Sequence, residues 1–363
     1  MFISSPLPLL LLFSPSLFIS TTQAALTYKG VDWSSLLVEE RAGKIYRNAA
    51  GQQQPLEKIL QSSGVNAVRQ RIWNDPEDGN YNLEYNLELA QRAVESGLDV
   101  YLDFHYSDTW ADPSHQTTPS AWSSYNIDDL SWAVYNYTLD TMNAFHTANI
   151  PLALVSIGNE IRAGMLWPLG SLDSSSSSYS PANVARLLHS ASAGIKDSSL
   201  TPQPQILVHL DNGWNADTQE WWYDLILSPN NAFTAADYDV QAVSFYPFYN
   251  SAATMSALQK SLEGLKGKYG KDVMVVETNW PQKCSKPEVA FPEDVRDLTF
   301  SAEGQREWME EVAGVVEGVG GSGVWYWEPA WLANAGLGSS CENNLMFDAE
   351  GRALSSLEVF KSL

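Results

Sequence analysis

Residues 154–164, "LVSIGNEIRAG", place a run of strand-forming residues, Leu154 to Ile157, directly before Gly158, Asn159 and Glu160. A buried strand normally ends in turn chemistry. A carboxylate at its tip must be hydrogen-bonded, paired, or ionised at some cost. Glu160 is therefore either a solvated loop residue or a group that its strand aims at a substrate. The stretch "VMVVETNWP" (273–281) repeats the arrangement, with Glu277 closing a second apolar run. One strand-end glutamate fits a capping or salt-bridging role equally well; two carry more weight.

Six further runs of the same kind surround these two. Before them come "LTYKGVDW" (26–33), "VNAVRQRIW" (65–73) and "LDVYLDFHY" (98–106), and the 154–164 strand itself starts at Pro151. After it come "QILVHLDNG" (205–213), "AVSFYPFY" (242–249) and, last of all, "GVWYWEP" (323–329). The strands recur at an average of roughly forty residues, with helical patterns between them, which reads as βα units around a parallel sheet. One such helix carries Leu83, Leu87, Ala90 and Val94 at three-to-four spacing and stops at Gly97. Eight units predict a single-domain (β/α)₈ TIM barrel over residues 25–363. A doubly wound open sheet is the alternative, but no G-x-G-x-x-G follows the first strand. In a barrel all C-terminal strand ends open on one face, so Glu160 and Glu277, on strands four and seven, are expected at the mouth.

The first 24 residues read as a secretory signal peptide. An apolar centre broken by Pro8 and Pro15 gives way to small residues around Ala24, although the basic start is missing. A membrane anchor is the weaker reading, because the run is shorter than the roughly 20 residues a span needs. The chain carries a formal net charge of −22, which argues against nucleic acid or anionic membrane as partners. Two cysteines, Cys284 and Cys341, favour one disulfide over two free thiols in an exported protein. The loop so closed would be worth about 4 kcal/mol by chain entropy. Asn136-Tyr137-Thr138 is the one glycosylation sequon.

Glycoside hydrolysis needs two opposed carboxyls, one protonated and one ionised. The residues around the paired glutamates suit that chemistry. Arg69 and Arg71 share a face of strand two, and an arginine beside a carboxylate keeps it ionised. Asp103 and His105 share a face of strand three, and Tyr246 ends strand six, where its hydroxyl can donate to a carboxylate. Trp327 ends strand eight, with Trp110, Trp280 and Trp331 in adjoining loops, and aromatic faces stack on pyranose C–H faces. Plainer readings stand beside these: Arg69–Asp103 as a structural ion pair, His105 as a hydrogen-bonded core histidine, and Trp325 as core. The five histidines show no metal-binding spacing, and no G-x-S-x-G supports a serine nucleophile.

The stretches "DFHYSDTWADP" (103–113), "GNEIRAGMLWPLG" (158–170), "VVETNWP" (275–281) and "WYWEPAW" (325–331) resemble glycoside hydrolase family 53, the arabinogalactan endo-β-1,4-galactanases. The resemblance runs through residues 25–363 and is nearest to secreted fungal-type enzymes. It implies a retaining enzyme with Glu160 as acid/base and Glu277 as nucleophile, and with Asn159 on the sugar 2-hydroxyl. Arg69, Tyr246 and Trp327 fill supporting positions, with Arg69 less securely matched than the glutamates because Arg71 lies beside it. Some bacterial relatives hold calcium after strand seven. Here Cys284 lies in that region and can tie it to Cys341, so neither metal nor other cofactor is expected. The partner implied is galactan, cut by a secreted monomer. An endo-mannanase or endo-glucanase of the same clan is the nearest alternative, and a non-catalytic carbohydrate-binding barrel a distant one.

Overall fold

The computed structural model describes Met1 and residues 25–363; the targeting segment read over residues 1–24 otherwise lies outside the described residues. Eight strands pair in parallel and in sequence order, with the last hydrogen-bonded to the first, and close a barrel. They are β1 (Tyr28–Asp32), β2 (Ala67–Ile72), β3 (Asp99–Phe104), β4 (Leu154–Ser156), β5 (Gln205–Leu210), β6 (Val240–Ser244), β7 (Asp272–Glu277) and β8 (Gly323–Tyr326). The expected barrel fold is the observed one.

Among the described residues eight α-helices flank the barrel, distributed unevenly. The first connection carries two short ones, α1 (Leu36–Arg41) and α2 (Leu56–Ser62). One each follows β2 to β7: α3 (Leu83–Glu95), α4 (Ile127–Thr147), α5 (Pro181–Lys196), α6 (Ala216–Ile226), α7 (Met255–Tyr269) and α8 (Ala302–Gly318). After β8 the helical position is taken by a 3₁₀ segment, Ser355–Lys361, packed against Gly64 beyond α2. A Cβ at Gly64 would lie 2.5 Å from that segment's backbone, so only glycine permits the approach. Helices α3 to α8 are each capped by an Asn, Ser or Thr side chain accepting a backbone N–H of the first turn. In α3 the buried stripe is Tyr85, Leu89, Ala90 and Ala93; of the expected set only Ala90 belongs to it, and Leu83, Leu87 and Val94 are half-buried. The half-polar helix carries a second set of large apolar residues, and packing on β2 and β3 selected that set.

The barrel interior is layered. The lower layers are apolar, with Ala67, Tyr101, Leu154, Leu207, Val240, Ala242, Met274, Val276 and Trp325 in one cluster. Trp325 fills the floor because β1 offers Gly30 opposite it, where a Cβ would come within 1.9 Å of the indole. One step further along each strand the inward residues turn polar: Asp32, Arg69, Asp103, Ser156 and His209, all buried. This change from apolar to ionic places the chemistry at the C-terminal mouth.

Cys284 and Cys341 form a disulfide that joins the segment after β7 to the segment after β8. Among the described residues no helix is long and apolar enough to cross a membrane.

Candidate active site

A cleft of about 560 Å³ lies over the polar layer, with Glu160, Glu277, Tyr246, Trp110, Trp327 and Trp331 among its walls. Strict alternation along β7 would turn Glu277 outward, since Met274 and Val276 point into the barrel. A bulge corrects this. Val275 pairs with Val243 of β6, but the next partner, Ser244, faces Glu277, leaving Val276 as the extra residue. The Glu277 carboxylate then meets Arg69 Nη1 at 2.8 Å and accepts the Tyr246 hydroxyl at 2.8 Å.

Glu160 reaches the mouth differently. Strand β4 ends at Ser156; Gly158 has φ 128°, and Glu160 itself sits in the left-handed region at φ 49°. A glutamate pays roughly 1–3 kcal/mol for such a conformation, which persists only where the surroundings fix it. Carboxylate oxygens of Glu160 and Glu277 lie within 4.8 Å of each other.

The two carboxyls have unequal surroundings. Burial pushes Glu277 up to about 7, against the pull of Arg69 and the Tyr246 hydroxyl. Burial, then the charges of Glu277 and Asp211, holds Glu160 well above the ordinary carboxylate range, and no cation touches it to offset this. A proton shared between them therefore resides on Glu160.

Beneath the cleft, Arg69 organises the ionic layer. Its Nη1 also meets Asp32 at 2.9 Å, while Nη2 donates to Asp103 at 2.8 Å and to Asn159 Oδ1 at 2.7 Å. Asn159 donates in turn to the Ala111 carbonyl at 2.8 Å, so its amide orientation is fixed by bonds at both ends. The nitrogen His105 Nδ1 accepts from Trp73 Nε1 and from the Ala111 amide, which leaves Nε2 to donate to Asp103 at 3.2 Å. Arg71 pairs instead with Glu328 at 2.6 Å and stacks beside Tyr81, Trp110 and Trp331, with ring centroids 4.3–5.1 Å from its guanidinium carbon. The arginine serving Glu277 is thus Arg69, and Arg71 backs the aromatic wall.

The expected residues divide into two groups. Glu160, Glu277, Trp110, Tyr246 and Trp327 line the cleft. Arg69, Asp103, His105 and Asn159, expected to bind substrate, stand behind its wall, with 0–3% of their surface exposed. Both nitrogens of His105 are already engaged inside the protein, so the plainer reading of that residue holds. Trp280 departs from expectation altogether. Its indole is buried against Trp308 and donates to the Thr299 carbonyl. Asn136 is exposed in the middle of α4, but the Thr138 hydroxyl of its sequon is buried, donating to the Val134 carbonyl and bonded to Tyr106.

Sequence reasoning missed Asp32, His209, Asp211, Ser244 and Glu328. The polar ends of "YKGVD" and "ILVHLDNG" were the available signal, since each breaks an apolar run at an inward position. Glu160, His209 and Glu277 are spaced as a metal site would be. However, His209 Nε2 is committed to Ser244 at 2.8 Å and the Arg69 cation occupies Glu277, so the donor set suits a protonated carboxyl better than a metal ion.

The comparisons agree with this architecture. The model of glycosyl hydrolase family 53 matches residues 28–360. An arabinogalactan endo-β-1,4-galactanase of Humicola insolens is 58% identical over 337 residues, covering 93% of this chain and 99% of its own. Arabinogalactan endo-β-1,4-galactanase A of Emericella nidulans is 54% identical over 364 residues, covering 100% of both chains. A fungal β-1,4-galactanase structure superposes with a TM-score of 0.90 at 56% identity, over 93% of this chain and 100% of that one. The family 53 catalytic domain of Ignisphaera aggregans gives 0.79 at 32% identity, over 92% and 95%. With a barrel, a mouth and a sequence likeness that extend together over the same residues, the chain belongs to glycosyl hydrolase family 53.

Proposed function

We propose that the protein is a secreted endo-hydrolase that cuts internal β-1,4-galactosidic bonds in the arabinogalactan side chains of pectin, with retention of configuration. The observation that carries the reading is the pair of carboxyls within 4.8 Å, one bonded to a cation and one not. Retaining sites keep their carboxyls roughly 5–5.5 Å apart, whereas inverting sites leave some 6.5–9.5 Å for a water. The names of the relatives support galactan as the substrate.

In this reading Glu277, kept ionised by Arg69 and oriented by Tyr246, attacks the anomeric carbon. Glu160 donates its proton to the leaving oxygen as that bond breaks. Once Glu277 is esterified its charge is gone, the repulsion that raised Glu160 is relieved, and Glu160 now takes a proton from the incoming water. Asn159, buried behind the cleft wall, braces Arg69 through its Oδ1 and is itself fixed by the Ala111 carbonyl. Trp110, Trp327 and Trp331 present apolar ring faces to the pyranose chain.

Secretion is supported by the disulfide and by the character of residues 1–24. A glycan on Asn136 would have to be attached before α4 packs, because Thr138 is buried afterwards.

Reducing-sugar release from linear galactan, mannan and carboxymethylcellulose tests the substrate, and proton NMR of the first product tests retention. Galactan is expected to be hydrolysed far faster than the other two, with a β-anomer appearing first. Preference for mannan or cellulose would transfer the chain to the same-clan alternative; no hydrolysis of any would leave a binding barrel.

A further inference from the structure

His209 and Ser244 are inward-facing polar residues on neighbouring strands β5 and β6, and the steps described above do not use them. His209 is wholly buried. Its Nδ1 stands 3.5 Å from Arg69 Nη2, a group that only donates, so that nitrogen presents its lone pair. The ring proton is therefore on Nε2, which donates to Ser244 Oγ at 2.8 Å. Burial and then the Arg69 charge push His209 down to about 3, so the ring stays neutral and the direction of donation does not reverse. With one lone pair filled by His209, the Ser244 hydroxyl has its hydrogen to turn toward Glu160, which lines the same cleft and has a carboxylate oxygen within 4.8 Å of a His209 ring nitrogen.

The backbone is shaped to allow this. Ser244 sits opposite the bulge that turns Glu277 inward. Its carbonyl accepts the Gly213 amide at 2.9 Å. A Cβ at Gly213 would fall 2.5 Å from Val243 and 3.1 Å from the Ser244 oxygen, so a glycine is required for the β5 loop to close on this point.

We infer that Ser244, backed by His209, is a positioning residue that orients the Glu160 carboxyl for both halves of the reaction. Arg69 thereby serves both carboxyls, Glu277 directly and Glu160 through the His209–Ser244 chain. The assignment rests on Glu160 being the acid/base group proposed above.

Other titrating groups also face Glu160: Glu277 from β7, Asp211 after β5, Asp112 after β3, and Tyr246 and Tyr249 after β6. Arg162 offsets Asp211 at 2.8 Å. None of these is altered by changing Ser244, which isolates the hydroxyl. A hydroxyl donating to a carboxylate favours the charged form, so its removal raises the pH at which Glu160 loses its proton.

The test compares Ser244→Thr with Ser244→Val, near-isosteres that differ by one hydroxyl, beside Glu160→Ala. The readout is kcat and kcat/KM against pH on an activated aryl β-galactoside. In Ser244→Val the alkaline limb of kcat/KM is expected to move up by about 0.5–1 pH unit. Its kcat should fall several-fold further than kcat/KM, because the ionised base of the second half has lost its donor. Ser244→Thr should stay near wild type. Limbs that coincide in the Thr and Val variants, with the limb gone in Glu160→Ala, would overturn the positioning role alone. A limb that survives in Glu160→Ala would remove the acid/base reading and this inference with it.

Discussion

Arg69 Nη1 stands 2.8 Å from Glu277 Oε1, an ion pair closed inside the barrel mouth with 1% and 8% of the two side chains exposed. An ion pair so enclosed orients the carboxylate and pulls against the burial that raises it, and it depends on a flat guanidinium that meets four partners at once. Lysine at position 69 keeps the charge but cannot span Asp32, Asp103, Asn159 and Glu277. Arg69→Lys should lower kcat on galactan on the order of 10²–10³-fold, as loss of a preorganised donor does elsewhere. Breaking the buried network should also lower Tm. A folded Arg69→Lys enzyme with near-wild-type turnover would refute the role.

Glu277→Ala should abolish hydrolysis of galactan, and azide added to this variant should restore turnover of an activated β-galactoside. The product expected is the α-galactosyl azide, because the anion enters from the face that Glu277 vacates. NMR of the product reads the configuration directly. A β-azide, or substantial residual hydrolysis without azide, would count against Glu277 as the nucleophile.

Stability should fall as pH rises from about 4.5 to about 7. Burial, with the charges of Glu277 and Asp211, holds Glu160 well above the usual carboxylate range, and burial pushes Glu328 up to about 7 from a usual 4.5. In that window the native state binds protons that the unfolded chain has released, so ∂ΔG/∂pH is negative. The stabilisation is complete below the unfolded value and disappears through the folded one. The self-repulsion of a chain at −22 acts in the same direction. Calorimetry should find Tm a few degrees higher near pH 4.5 than near pH 7, with a flatter profile for Glu160→Gln. A Tm that climbs over this range would contradict the sign.

Trp331 lines the cleft beside Trp327, with ring centroids 6.3 Å apart, and touches neither carboxyl. Trp331→Ala should raise KM for long galactan roughly tenfold and leave kcat within about twofold, the pattern of lost uniform binding. Steady-state kinetics on galactans of defined length decides it. An equal fall in kcat would mean that the ring acts in the transition state.

The Cys284–Cys341 bond closes a separation of 57 residues between the segments that follow β7 and β8. Replacing both cysteines with serine should lower stability by up to about 4 kcal/mol, read by denaturant unfolding. Glu277 ends β7 and Glu160 follows β4, both outside these loops, so kcat should change less than Tm. A variant as stable as wild type would show that the loops are ordered by their other contacts.

Much of this was legible in the sequence, for a physical reason. Eight buried strands that each end in polar chemistry admit few topologies, and two strand-tip glutamates on one barrel must share its mouth. What stayed hidden depends on partners and not on residue type. Arg69 and Arg71 lie on one face of β2 and are chemically identical; only their neighbours, Glu277 for one and Glu328 for the other, separate them. The bulge at Val276 follows no composition rule, although without it Glu277 would turn outward. Trp280 looks like Trp331 in a sequence, because an aromatic residue in a loop serves equally as a wall or as packing. Packing placed Trp280 beneath the surface.

The indole of Trp325, seated over Gly30, acts as a stopper at the base of the barrel. No strand of polymer can be threaded through this protein, so each bond that is cut must be presented from the side and both fragments must depart the way they came. A polysaccharide therefore does not need to offer a free end to be engaged; it only needs to drape across the opening.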